Sequence, residues 1–206
     1  MSSERFDKAA AEWDAKPRRV QLAEKISDAI AGLPLSTDMD AMEYGCGTGL
    51  VGLPLADKLG SLTVIDTSQG MLDVIREKID ARGLNNVTPL CCDLSTEPYG
   101  GKHDLIFCAM TLHHIKDAAA MLKRFTELLK PGGWLALADL VSEDGSFHDP
   151  EAEGIHHHGF APDTLINTLS DLGMTELKVE TVHTIVKAEQ DNQEYPVFLL
   201  TACKHS

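Results

Sequence analysis

The chain has 206 residues, 43% hydrophobic and 24% charged, enough for one ordinary domain that buries about 70% of its unfolded surface, and this composition excludes a disordered chain. Its 18 Lys+Arg against 32 Asp+Glu give a net charge of −14, which argues against nucleic acid or an anionic membrane as partner, because both demand a basic footprint. No apolar run approaches the ~20 residues of a membrane span, no export signal is read at the N-terminus, and the odd count of five cysteines suits reduced thiols in a cytoplasm.

Residues 16–32 carry Val20, Leu22, Ala23, Ile26 and Ile30 near helical spacing, with Gly32 as a stop, and residues 1–35 read as a helical cap. Residues 40–45 form a short strand that runs into glycines. Residues 50–58 read as a helix start, provided Pro54 lies in its first turn. A β-branched strand over 61–65 ends at Asp66, and 69–82 is an amphipathic helix closed by Gly83. Strands at 86–91 and 103–108 follow, then a helix over 117–130 stopped by Pro131-Gly132-Gly133, then a buried strand at 134–138. Residues 141–160 are polar and read as a lid or loop. A helix over 162–172 precedes two late strands, 174–186 and 195–203.

From residue 40 to 138 strands alternate with helices, which implies a parallel sheet covered on both faces. The ending of helix, strand, short connector and strand adds an antiparallel hairpin at one edge. No Pro/Gly/Ser linker divides the chain, so a single domain over 1–206 is expected.

The chemistry concentrates at Glu43-Tyr44-Gly45-Cys46-Gly47-Thr48-Gly49. Glycines after a strand permit a tight turn and a close backbone approach to a ligand, and a helix start beyond them offers free N–H groups. Asp66 lies 21 residues after Gly45, at the end of the next strand, where a carboxylate can accept both hydroxyls of a ribose. Strand alternation sets Glu43 and Gly45 on one face, Met42 and Tyr44 on the other. Glu43 then either supports a cofactor ammonium or is a solvated strand-end carboxylate. A literal G-x-G-x-x-G, Gly47 to Gly52, keeps a nicotinamide-dependent oxidoreductase open as a second reading, although it leaves Glu43 without a role.

These residues resemble the class I S-adenosylmethionine-dependent methyltransferases. The glycine segment is similar to that family's E-x-G-x-G-x-G motif, and Val64-Ile65-Asp66-Thr67-Ser68 with Met71 to its second motif. Cys92-Asp93-Leu94 falls where the family recognises adenine, Asp104 to Ala109 looks like its fourth-strand motif, and Leu129 to Gly133 before Trp134 like the turn into its fifth strand. The resemblance implies a Rossmann-like, doubly wound seven-stranded α/β sheet of order 3-2-1-4-5-7-6 with the last strand antiparallel. It implies S-adenosylmethionine as cofactor and S-adenosylhomocysteine as product. Glu43, Gly45, Cys46, Gly47, Asp66, Thr67, Met71, Cys92, Asp93, Leu94, Cys108 and Ala109 would form the cofactor site. The expected reaction is in-line methyl displacement onto a small-molecule acceptor entering between residues 1–20 and 141–160. A non-catalytic cofactor-binding partner protein is the remaining alternative.

Displacement from a sulfonium needs a base only if the acceptor atom is a poor nucleophile. The candidate bases are histidines. His113 and His114 follow the fourth-strand motif, where they either face ligand or cap a helix start. His157 and His158 belong to the His156–His158 triplet, read as part of a mobile lid that turns one ring inward, or as a solvated loop. No metal site is expected. Trp13 is read as a lid residue or as ordinary helix packing.

Overall fold

The computed structural model describes residues 3–149 and 151–205. Seven strands form one sheet of order β3-β2-β1-β4-β5-β7-β6: β1 Asp40–Tyr44, β2 Ser61–Asp66, β3 Val87–Cys91, β4 His103–Ala109, β5 Leu129–Leu140, β6 Met174–Lys187 and β7 Gln193–Lys204. The first five strands pair in parallel, and β7 runs antiparallel between β5 and β6. The expected strand order and antiparallel edge hairpin are what the fold has.

Both faces of the sheet are apolar because parallel strands with crossover helices bury both sides. On one face Val64, Phe107, Ala136 and Leu199 pack under the helices α2 (Pro17–Ile30) and α3 (Gln69–Arg82), with Ile26, Ile30, Leu72 and Ile75 pointing inward. On the other, Met42, Tyr44, Ile106, Leu137 and Leu200 meet α4 (Ala118–Leu128) and α5 (Pro162–Asp171) through Met121, Leu122, Phe125, Leu165 and Leu169. Tyr44 and Phe125 pack edge to face at 5.7 Å. Truncating a ring as buried as Phe125 costs about 3–5 kcal/mol. Among the described residues, no helix is long and apolar enough to cross a membrane.

Two local expectations are corrected. Residues 50–58 do not begin an α-helix: after two turns the chain makes only the 3₁₀ segment Leu53–Lys58. Pro54 sits in its first turn, where its missing N–H is tolerated. The helix expected over 117–130 ends at Leu128. Leu129 already pairs with His103, so Pro131-Gly132-Gly133 lies within β5, beside an irregularity in its pairing with β4. Residues ahead of α2 are helical too: α1 spans Glu4–Ala9 and a 3₁₀ turn spans Ala10–Ala15.

Candidate active site

The glycine loop leaves β1 at the C-terminal edge of the sheet. Gly45 and Cys46 donate to the Ile65 carbonyl at 2.8 and 3.0 Å, stitching the loop to β2. Gly45 takes φ +74°, and a Cβ there would lie 2.3 Å from the Thr111 side chain, so only glycine fits. Gly47, at φ +51°, has room on its open side: a Cβ there would meet only Met71 Sδ, at 4.0 Å. Gly52 serves differently. Its backbone is ordinary helix (φ −80°), but a Cβ would come within 2.1 Å of Glu43 Oε2. The glycine at 52 makes room for a buried carboxyl, not for a pyrophosphate.

Asp66 ends β2 and accepts from Gly47 N and Ser68 N, each at 2.8 Å. Burial raises its carboxyl above the usual range while these N–H groups pull it back. Glu43 is 2% exposed; burial, and secondarily Asp66, push its carboxyl well above the ordinary value, and the Gly52 N–H works the other way. It is not a solvated strand-end carboxylate.

One cavity of about 480 Å³ runs along this edge, lined by Glu43, Gly45, Cys46, Gly47, Asp66, Thr67, Met71 and Ala109 of the expected cofactor set. Cys92, Asp93, Leu94 and Cys108 stand outside its lining. Cys92 and Leu94 are buried in the α4 face of the core, and Asp93 is turned onto Ser95 N and Oγ and accepts from the Tyr44 hydroxyl at 3.3 Å. Cys108 is buried on the same face, and burial pushes its thiol well above the ordinary value.

The N-terminal segment roofs the glycine-loop end of the cavity. Asp7 accepts from Ser68 Oγ (2.6 Å) and Gly70 N (2.9 Å), and Asp14 accepts from Thr48 Oγ1 (2.6 Å) and pairs with Lys78 (2.5 Å). Trp13 lines the cavity with the Arg19 guanidinium stacked 3.5 Å over its ring.

At the far end, β4 and β5 bring His113 and Asp139 together across 26 residues. His113 Nδ1 lies 2.7 Å from Asp139 Oδ1, both groups are 1% exposed, and the His113 backbone N–H donates to the other carboxylate oxygen at 3.2 Å. A carboxylate accepts only, so Nδ1 carries the proton and Nε2 is left as the acceptor on the opposite edge of the ring. His114 also lines the cavity. Its Nδ1 bonds the Gly154 carbonyl at 2.9 Å, and burial, with His113 next, pushes its pKa down to about 4.

His157 and His158 do not enter the cavity. Residues 141–149 and 151–160 are a strap tied at both ends rather than a loose lid. Val141 bridges Phe160, Glu143 N donates to His158 O, and the N–H groups of His156 and His157 both donate to the His113 carbonyl. The His157 ring turns to the Ile115 carbonyl at 3.0 Å, and His158 sits 3.6 Å from Glu143 with its side chain largely in solvent. The residue the strap delivers is His148, whose ring centroid lies 5.0 Å from that of His113. Burial and the neighbouring His113 push its pKa down to about 3, and its Nε2 is buried with no hydrogen-bond partner among the described residues. Sequence reasoning missed Asp139 and His148. The one signal for Asp139 is a carboxylate closing an apolar strand at the edge where ligands bind.

The donor set fits S-adenosylmethionine: an acid for ribose hydroxyls, buried carboxyl and carbonyl oxygens for a cationic methionine end, Met71 against which an adenine can pack, and an open face at Gly47. A family model described as a methyltransferase domain matches residues 41–133. An uncharacterized methyltransferase of Schizosaccharomyces pombe is 33% identical over 158 residues, 68% of this chain and 55% of that protein. Aklanonic acid methyltransferase DauC of Streptomyces is 30% identical over 110 residues, 52% of this chain and 50% of its own. The chain thus spans about half the length of these curated relatives. The crystal structure of a SAM dependent methyltransferase from Aquifex aeolicus shares the fold, with a TM-score of 0.68, 21% identity and 98% of each chain covered. Sequence relatives, sheet order and the glycine-loop geometry agree: the chain belongs to the class I S-adenosylmethionine-dependent methyltransferase family.

Proposed function

We propose that this chain, as one catalytic domain, methylates a protic atom, hydroxyl or thiol, of a small-molecule acceptor. The observation that carries this reading is His113 on the wall of the cavity that also holds the glycine loop and Asp66, its Nδ1 bonded to the buried Asp139. An amine that is already a free base needs no such pair, whereas a neutral hydroxyl does.

When bound, S-adenosylmethionine supplies an electrophilic methyl on a sulfonium. Asp66 would accept its ribose hydroxyls, Thr67 and Met71 would flank the adenine, and the carbonyls of Gly45 and Ala109, with Glu43 behind them, would hold the ammonium. His113 Nε2 would take the proton of the acceptor hydroxyl or thiol as that atom receives the methyl. Asp139 fixes the tautomer and stabilises the imidazolium that results. The strap and the N-terminal roof exclude water and hold the reactants in attack geometry, which supplies most of the acceleration in such a displacement. The Streptomyces relative, whose name gives an acid as its substrate, is in keeping with an oxygen acceptor.

Calorimetric titration tests the cofactor half. S-adenosylmethionine and S-adenosylhomocysteine should bind the wild-type chain, and Asp66→Ala should weaken both roughly 10- to 100-fold, the worth of hydrogen bonds to a charged group. If NADH binds and neither sulfur ligand does, the reading is wrong.

A further inference from the structure

The acceptor end of the cavity holds more hydrogen-bond acceptors than one reacting group can use. Arg5 and Lys187, two of the cations that line the cavity, already have carbonyl partners: Arg5 donates to Glu153 O at 3.4 Å, and Lys187 to Phe147 O. The imidazoles are less evenly matched. His113 and His114 both line the cavity, with ring centroids 4.1 Å apart. Each spends Nδ1 on an oxygen that can only accept, His113 on Asp139 Oδ1 at 2.7 Å and His114 on the Gly154 carbonyl at 2.9 Å. Each Nδ1 therefore carries the ring proton, and each Nε2 is left with a lone pair. Among the described residues neither Nε2 has a hydrogen-bond partner, and neither is walled in as His148 Nε2 is. Two lone pairs thus stand on one stretch of cavity wall, both within reach of a single small molecule.

The two rings differ in what they can do with a donor. His113 is backed by a buried carboxylate, which stabilises the imidazolium, so it can take the proton. His114 is backed by a neutral carbonyl, and burial keeps its imidazole uncharged, so it can take a hydrogen bond and nothing more. Phe6, edge-on to His114 at 5.2 Å and also on the cavity wall, supplies no competing donor. An acceptor with a single O–H satisfies His113. It displaces water from His114 and offers nothing in return, which is the costly case for a polar group at a binding site.

We infer that the acceptor carries two neighbouring hydroxyls, as a vicinal diol or 1,2-dihydroxyarene does, one presented to His113 Nε2 for methylation and the other held by His114 Nε2. This rests on the methyl-transfer reading and adds to it a substrate class and a specificity-determining residue. His114 orients the diol, and His113 meets the hydroxyl that reacts. Methylation exchanges the proton of that hydroxyl for a methyl, so the product keeps one of the two hydrogen bonds and is held more weakly than the substrate.

The test uses the full chain saturated with S-adenosylhomocysteine, titrated calorimetrically at pH 7 with catechol, phenol and guaiacol, the monomethyl ether of catechol. Catechol should bind roughly tenfold or more tighter than either of the others, the worth of one hydrogen bond gained and one lone pair no longer stranded. His114→Asn sharpens the result. An asparagine amide can donate to the Gly154 carbonyl from about the place of Nδ1, but it has no lone pair where Nε2 stood. It should bring catechol to within about threefold of phenol, with the affinities for phenol and S-adenosylhomocysteine changed by no more than about twofold. A merely structural role for His114 would weaken phenol and catechol alike. Catechol binding no tighter than phenol or guaiacol, no catechol binding at all, or a preference untouched in a folded His114→Asn overturns the inference. The comparison of the three ligands on the wild-type chain decides the matter should the variant fail to fold. Failure of S-adenosylhomocysteine to bind instead overturns the methyl-transfer reading itself, so the two failures are distinguishable.

Discussion

The two ends of the cavity are built from different materials. The cofactor end is backbone: a loop stitched to the Ile65 carbonyl, two carboxyls placed by strand ends, and N–H groups that fill Asp66. Its acids are pushed up by burial. The acceptor end is side chain: three imidazoles, a buried aspartate and two cations, contributed by the chain near residue 5, β4 and its following turn, β5, the strap and β6. Two of these imidazoles, His114 and His148, are pushed down by burial. A site of the first kind holds one ligand whose shape is fixed. A site of the second kind can be retuned residue by residue, and the difference teaches where specificity resides in this molecule.

The comparison breaks most visibly at the His113–Asp139 pair. His113→Gln should lower turnover by about 10²–10⁴-fold, the range of a lost general base. Asp139→Asn should lower it by a large fraction of that, because an amide can hold the imidazole in the wrong tautomer. Neither change should move S-adenosylhomocysteine affinity measured by calorimetry. If His113→Gln abolishes cofactor binding as well, the two ends are one cooperative unit and the division made here is false. Asp139 acts through His113, so a shifted pH–rate profile in Asp139→Asn is the sign that separates positioning from simple loss of structure.

Much of the cofactor end was legible before folding, because its signals are local. Glycines follow a strand, an acid comes 21 residues later, and Met71 follows at one helical turn. The acceptor end was legible only in part. His113 and His114 could be singled out by their place after the fourth strand, but Asp139 looks like the tail of an apolar run until β5 is laid beside β4. The triplet His156–His158 drew attention by composition, yet what fixes it is backbone: two N–H groups on one carbonyl, which no residue pattern encodes. His148, alone in a polar segment, gave no signal at all. The α-helix expected after the glycine loop is replaced by the short 3₁₀ segment Leu53–Lys58, although Pro54 does lie in its first turn.

The acceptor end also carries an acid-lability that the cofactor end opposes. His114 and His148 have folded-state pKa values of about 4 and about 3 against 6.5 in the free side chain. The unfolded chain therefore takes up protons first as pH falls. The stability involved is fully present above pH 6.5 and is lost as pH drops toward 4 and then 3. For the well-buried His114 the full loss is on the order of 3 kcal/mol. Glu43 has the reverse sign, since its raised pKa favours the fold as pH falls. Thermal melts of wild type and of the double variant His114→Gln, His148→Gln from pH 7 to 4.5 separate the two. The wild-type Tm should fall more steeply, and parallel curves would mean the imidazoles are charged in the fold.

A smaller and sharper test sits beneath the cofactor end, at Gly52. Its backbone dihedrals suit alanine, and in an exposed helical turn Gly→Ala would stabilise by several tenths of a kcal/mol. Here the new Cβ would stand 2.1 Å from Glu43 Oε2 and 3.0 Å from Cδ, so the buried carboxyl would have to leave its place. Overpacking of this kind costs about 1–3 kcal/mol, so Gly52→Ala should lower the Tm by roughly 2–4 °C for each kcal/mol lost. Removing the obstruction with Glu43→Ala in the same chain should return part of that loss, giving a non-additive pair in a double-mutant cycle. If Gly52→Ala instead leaves the melt unchanged and weakens only a nucleotide ligand, then the glycine serves a phosphate and the G-x-G-x-x-G reading regains its force. A coupled, destabilising result means that Gly52 is part of the floor on which Glu43, and through it the ammonium end of the cofactor site, is held.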